Sequence, residues 1–167
     1  KVLEPVKEEL DGGIVVGHSL GAPFIVDLLN EWDIKLKGAF FVGGFIGPHE
    51  AEGVTFEDFT ERNYDWEKIK KSCEHFVVLN SDNDPYVPLE KGKRLAENLG
   101  VEVTVVPGAG HFQAQSGYKT FLLLFSITLT LKISEILFPI FLGGFDWLFT
   151  MLTYSLIAAC FIYDIIN

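Results

Sequence analysis

The chain has 167 residues and a formal net charge of −10, from 13 Lys and Arg against 23 Asp and Glu. That balance argues against nucleic acid or anionic membrane surfaces as electrostatic partners, while the length suffices for one domain with a real core. Two cysteines, Cys73 and Cys160, give neither a disulfide framework nor a metal-ligand cluster, so a reducing, cytoplasmic setting is the default expectation.

Charge is unevenly spread. Residues 1–117 carry 11 Lys/Arg and 20 Asp/Glu, whereas residues 118–167 hold only Lys119, Lys132, Glu135, Asp146 and Asp164. A body over 1–117 and an apolar tail over 118–167 therefore meet near Gly117. The chain starts at Lys1 inside a stretch, residues 2–10, that reads as a helix end closed by Asp11-Gly12-Gly13.

From there helical and strand patterns alternate. Residues 14–16 are a short apolar run bounded by glycine, as a fully buried strand would be. Residues 21–32 read as a helix with Phe24, Ile25, Leu28 and Leu29 on one side, and 38–42 as a second buried strand. Residues 45–65 are irregular and acidic. A short helix over 66–73, a strand over 76–79, an amphipathic helix over 88–99 and a strand over 101–106 follow. Strands separated by helices of this length imply right-handed crossovers and a mainly parallel sheet covered on both faces.

The segment Gly17-His18-Ser19-Leu20-Gly21 joins the first strand to the next helix in the Gly-x-Ser-x-Gly pattern of a nucleophile elbow. A serine on so sharp a turn needs small neighbours, which Gly17 and Gly21 supply. The new helix also aims its N-terminal N–H groups at the serine. The plain alternative is a glycine-rich turn with a capping serine.

A serine nucleophile needs a base, and the base an orienting acid. After the strand over 76–79 comes Ser81-Asp82-Asn83-Asp84-Pro85-Tyr86-Val87-Pro88, and after that over 101–106 comes Pro107-Gly108-Ala109-Gly110-His111-Phe112. Taken singly, the aspartates fit turn residues and His111 a solvent-facing loop histidine. Together, Ser19, an aspartate and His111 follow three strands in the chain order of the α/β-hydrolase triad. Asp84 is preferred to Asp82 because it directly precedes Pro85 and the lead into the helix. His18 is expected to line the site or to pack rather than act as base. His49 and His75 have no supporting context.

With Trp66-Glu67-Lys68-Ile69-Lys70, the Ser81–Pro88 segment, Gly110-His111-Phe112-Gln113 and Gly17-His18-Ser19-Leu20-Gly21 in hand, residues 1–117 resemble one family. It is the small single-domain serine hydrolases that include retinoblastoma-binding protein nine and bacterial YdeN-like proteins. The resemblance implies Ser19 as nucleophile, Asp84 as acid and His111 as base. It further implies small esters or amides as substrates, an aminopeptidase-like activity in some members, and no cofactor or metal.

Members carry a further N-terminal strand and a Gly-rich loop that supplies a second oxyanion donor. On that comparison the fold here is N-terminally truncated, and only the Leu20 N–H is on hand for an oxyanion. His18 and Phe112 are the candidate substrate-lining residues.

The tail departs from the family. Residues 147–163 are 17 in number without a charge, at the short limit for a membrane span. Residues 121–145 are long enough as well, though interrupted by Lys132, Glu135, Pro139 and Gly143-Gly144. A helical membrane hairpin and an artefact of gene prediction are both open readings. For the whole chain the leading expectation is a serine hydrolase working through an acyl-enzyme. The alternatives are a non-catalytic hydrolase-fold binding or scaffold protein, an inactive fragment, or a membrane-anchored form of either. Oligomeric state is not encoded in any feature of the sequence.

Overall fold

The computed structural model describes residues 7–51, 54, 55, 60 and 62–118. The tail after residue 118, on which the membrane reading rests, lies outside the described residues, as does the beginning of the first helix. Among the described residues no helix is long and apolar enough to cross a membrane.

The elements run α1 (Lys7–Leu10), β1 (Ile14–His18), α2 (Gly21–Glu31), β2 (Leu36–Val42), β3 (Glu50–Ala51), β4 (Val54–Thr55), α3 (Trp66–Lys71), β5 (Cys73–Ser81), α4 (Leu89–Leu99) and β6 (Val103–Val106). β1, β2, β5 and β6 form a parallel sheet in that order, with Val15 opposite Ala39, Phe41 opposite Val78 and Leu79 opposite Thr104. Chain order equals sheet order, so each crossover helix returns the chain to the next neighbouring strand.

β2 is the most apolar strand and lies inside the sheet, every residue but Lys37 buried, as expected where both faces are covered. Ala39 and Phe41 on one face meet Val78 of β5, Ala22, Ile25, Val26 and Leu29 of α2, Ile69 of α3, and Leu95, Ala96 and Leu99 of α4. On the alternate positions Phe40, Val42 and Leu79 are buried too. α3 is capped by Asp65, whose Oδ1 accepts from the Lys68 N–H, and α4 ends on left-handed Gly100.

Three expectations change. β1 is not fully buried: it is the terminal strand of the described sheet, and Val16 is 49 % exposed. The inward stripe of α2 is Ala22, Ile25, Val26 and Leu29, while Phe24 points outward at 41 % exposure. Finally, the acidic stretch holds a small antiparallel pair, Glu50 opposite Thr55 and Ala51 opposite Val54.

Candidate active site

Parallel pairing brings the ends of β1, β2, β5 and β6 to one rim of the sheet, the edge at which open α/β folds bind ligands. Ser19 directly follows β1 with φ 54°, a left-handed conformation that costs a non-glycine residue on the order of 1–3 kcal/mol. The turn is over-determined. The Ser19 N–H donates to Val42 O at 3.0 Å, and Ser19 O accepts from the Ala22 N–H at 3.0 Å. Leu20 is the N-cap of α2, so the positive end of that helix opens beside the serine.

Gly17 makes the tight passage possible. A Cβ there would lie 2.6 Å from Gly21 O and 2.7 Å from Ile25 Cδ1. A Cβ on Gly21 would meet nothing within 4 Å, so of the two glycines only Gly17 supplies room.

The loop after β5 divides its polar groups between two partners. Asp84 Oδ2 lies 2.7 Å from His111 Nδ1, with the carboxylate side chain fully buried and the imidazole 8 % exposed. Asp84 Oδ1 accepts from the N–H groups of Tyr86, at 2.9 Å, and Val87, at 3.0 Å. Asp82 Oδ1 instead accepts from the Gly108 N–H at 2.8 Å, and Asn83 Oδ1 from the Gly110 N–H at 2.7 Å. Both therefore tie the aspartate loop to the histidine loop, while Asp84 alone reaches the imidazole. The Tyr86 ring closes on His111 edge-on, centroids 5.1 Å apart.

His18 lies next to the same imidazole, ring centroids 4.6 Å apart, and its Nε2 donates to His111 O at 2.8 Å. That bond leaves His18 holding the backbone of the histidine loop. Phe112, left-handed at φ 51°, is turned inward against Tyr118 at 5.3 Å. Gly43, after β2, closes the floor between the loops: a Cβ there would stand 3.4 Å from His111 Nδ1 and 3.5 Å from Asp84 Oδ2. Ser19 thus bonds to the backbone of Val42, the residue before Gly43, and no hydrogen bond between the Ser19 hydroxyl and His111 is seen among the described residues.

Two contributors had no motif to announce them. Asn80, buried in the otherwise apolar run of β5, donates through Nδ2 to Gly44 O at 3.1 Å and so fixes the turn that floors the site. A polar residue at an inward strand position was the available signal. His49 is buried, meets the Phe45 ring in a tilted contact at 4.2 Å and has Lys91 Nζ 3.2 Å from its Nδ1. Burial first, then Lys91 and His111, hold its imidazole below the usual histidine range, against an opposing pull from Asp84.

Of the aromatic residues in and beside the acidic stretch, Phe45 is buried two residues after Gly43. Tyr64 and Trp66 pack on the main core, and Phe56 and Phe59 lie outside the described residues.

Other features stand apart. A cavity of about 300 Å³ lined by Trp32, Asp33, Lys35, Asp65, Lys68 and Lys71 sits by the opposite ends of β2 and β5. There the Lys35 and Lys68 ammonium groups are taken up by Lys71 O and Asn30 O. Burial raises the Cys73 thiol to about 11, which leaves it protonated and unreactive. Among the described residues no cluster of His, Cys, Asp and Glu could hold a metal ion.

Comparison with known proteins gives the family and the fold. The chain is 29% identical to YdeN of Bacillus subtilis over 115 residues, 68% of this chain and 60% of that protein. It is 27% identical to serine hydrolase RBBP9 of Rattus norvegicus over 100 residues, 60% of this chain and 53% of that protein. It therefore spans little more than half the length of these curated relatives.

The crystal structure of the B. subtilis ydeN product superposes with a TM-score of 0.72 at 26% identity, covering 77% of this chain and 70% of that one. A YdeN-like protein from Pectobacterium atrosepticum, at 21% identity and a TM-score of 0.51 over 74% of this chain and 60% of that one, shares the fold. Residues 2–126 match the serine hydrolase family, to which the chain belongs.

Proposed function

We propose that the protein of which this chain is part hydrolyses small esters or amides through an acyl-enzyme, with Ser19 as nucleophile, His111 as base and Asp84 as orienting acid. The observation that carries the reading is the buried 2.7 Å contact between Asp84 Oδ2 and His111 Nδ1, on the rim where Ser19 is held left-handed.

In the proposed sequence Ser19 Oγ attacks the substrate carbonyl carbon as His111 Nε2 takes the hydroxyl proton. The same proton goes to the leaving oxygen or nitrogen as the carbonyl–leaving-group bond breaks. Asp84 fixes the Nδ1–H tautomer and stabilises the imidazolium. The Leu20 N–H, at the N-cap of α2, faces the developing oxyanion. Water, deprotonated by His111, then attacks the acyl–Ser19 ester; the C–Oγ bond breaks, His111 returns the proton to Ser19 Oγ, and the acid is released. Proton and acyl transfers balance with water alone, so the reaction calls on no cofactor.

A fluorophosphonate probe tests this directly. Purified full chain should be labelled, and Ser19→Ala should abolish labelling while leaving far-UV circular dichroism unchanged. Equal labelling of the two proteins would remove Ser19 from the mechanism.

A further inference from the structure

β5 is apolar from Phe76 to Leu79 and turns polar at Asn80, which is still fully buried. An amide in such a place needs partners for two N–H donors and for a carbonyl oxygen. Asn80 has only part of that set. Its Nδ2 donates to Gly44 O at 3.1 Å, whereas its Oδ1 has no hydrogen-bond partner among the described residues. The side chain lies so close to α4 that a Cβ on Gly92 would come within 2.3 Å of Oδ1. A half-satisfied buried amide contributes little net stability, and the consequence of its one good bond lies in what Gly44 adjoins.

Gly44 ends a three-residue turn that borders every member of the proposed triad. Val42 O accepts the Ser19 N–H at 3.0 Å, and the Gly43 N–H donates to Leu79 O at 2.8 Å. Gly43 is left-handed at φ 54°, and the side on which it lacks a Cβ looks onto His111 Nδ1 and Asp84 Oδ2. Gly44 is wedged between strand and helix. A Cβ there would fall 2.9 Å from Phe41 Cβ and 3.0 Å from the Cβ of Ala22, in the first turn of α2. Two glycines in succession form the loosest backbone a chain can offer. Packing limits how far such a turn can slide, but only a directional bond fixes the rotation of its peptide, and Asn80 supplies that bond.

We propose that Asn80 is a positioning residue of this site. By holding Gly44 O it fixes the Val42-Gly43-Gly44 turn, and the turn in turn sets the elbow serine on one side and the Asp84–His111 contact on the other. The proposal rests on the serine-hydrolase reading above and deepens it. Asn80 acts through the backbone of the turn and takes no part in proton transfer.

The test uses full chain and two variants. Asn80→Leu exchanges one orphan acceptor, Asn80 Oδ1, for another, Gly44 O, so the midpoint of thermal unfolding should move little. On 4-nitrophenyl acetate, kcat should nonetheless fall roughly tenfold to a hundredfold with KM within about twofold, as for a small misplacement at the reacting centre. Fluorophosphonate labelling should slow in proportion. Asn80→Asp keeps the shape, and its carboxyl group donates to Gly44 O only when protonated. It should therefore retain more of the native kcat at pH 5.5 than at pH 8, and it decides the matter if Asn80→Leu does not fold. Native-like kcat and labelling in folded Asn80→Leu, or a variant-to-native ratio indifferent to pH in Asn80→Asp, would overturn the proposal.

The downfield Nδ1–H proton resonance of His111, assigned by its absence in His111→Gln, reads the contact with Asp84 without turnover. It should shift or broaden in Asn80→Leu. An unmoved resonance in a chain that the probe labels overturns the positioning role alone. A resonance that does respond, in a native chain that the probe does not label, would instead overturn only the serine mechanism.

Discussion

Asp84 splits its carboxylate between two tasks: Oδ1 caps the turn at Tyr86 and Val87, and Oδ2 faces the imidazole. The turn therefore sets the aim of the second oxygen, and an amide in its place keeps the shape while altering the tautomer of His111. On the proposed mechanism, Asp84→Asn should lower kcat on the order of 10³- to 10⁴-fold with little change in stability. Asp82→Ala deletes only the bond to Gly108 and should cost less than about tenfold. Steady-state kinetics on one ester checks both, and equal losses would contradict the division of labour.

The sequence separated these aspartates through a local clue, the Pro85-Tyr86-Val87-Pro88 lead that converts Asp84 into a turn cap. No such clue existed for His49. Its partner lies 42 residues away, and a lone histidine in an acidic stretch carries no periodicity.

At the scale of elements, β1, the elbow and α2 act as one unit pinned by the contact of Gly17 with the start of the helix. Gly17→Ala forces a methyl group to 2.6 Å from the Gly21 carbonyl, and the helix must move away from the strand. The expected result is a loss of roughly 1–3 kcal/mol in urea unfolding. Fluorophosphonate labelling should also slow at least about tenfold, because Ser19 shifts with the helix. Gly21→Ala, with open space at its Cβ, is the control and should do far less on both counts.

The parallel sheet and its crossover helices were legible because alternation of 3.6-residue and short apolar patterns leaves few topologies. The face of α2 was not. Phe24 is as hydrophobic as Ile25, and only the position of β2 decides which of them turns inward. The pair β3 and β4 escaped for a different reason: two residues per strand are too few to show a period.

Across the whole molecule, net charge and local field point in opposite directions. The chain is strongly acidic, yet His49 is held neutral beside a lysine, and this leaves a signature in stability. The folded imidazole titrates below its unfolded value of about 6.5, so on acidification the unfolded chain takes up the proton first. The contribution of His49 is thus complete above that value and is lost as pH falls toward the folded one. Urea unfolding at pH 8, 6.5 and 5 should show native protein losing more stability than His49→Gln chiefly between pH 6.5 and 5. Parallel curves would mean that His49 titrates alike in both states.

The bonds along the rim have a broader consequence. Ser19 is fastened to Val42, His18 to His111, Asp82 to Gly108 and Asn83 to Gly110. The polar capacity of the reactive loops is largely spent on each other, which fixes their spacing and leaves little of it to read a ligand. On the proposed reading, discrimination would fall to segments outside that closed circuit. Preference for new acyl groups can drift there, one substitution at a time, while the proton's route stays as it is.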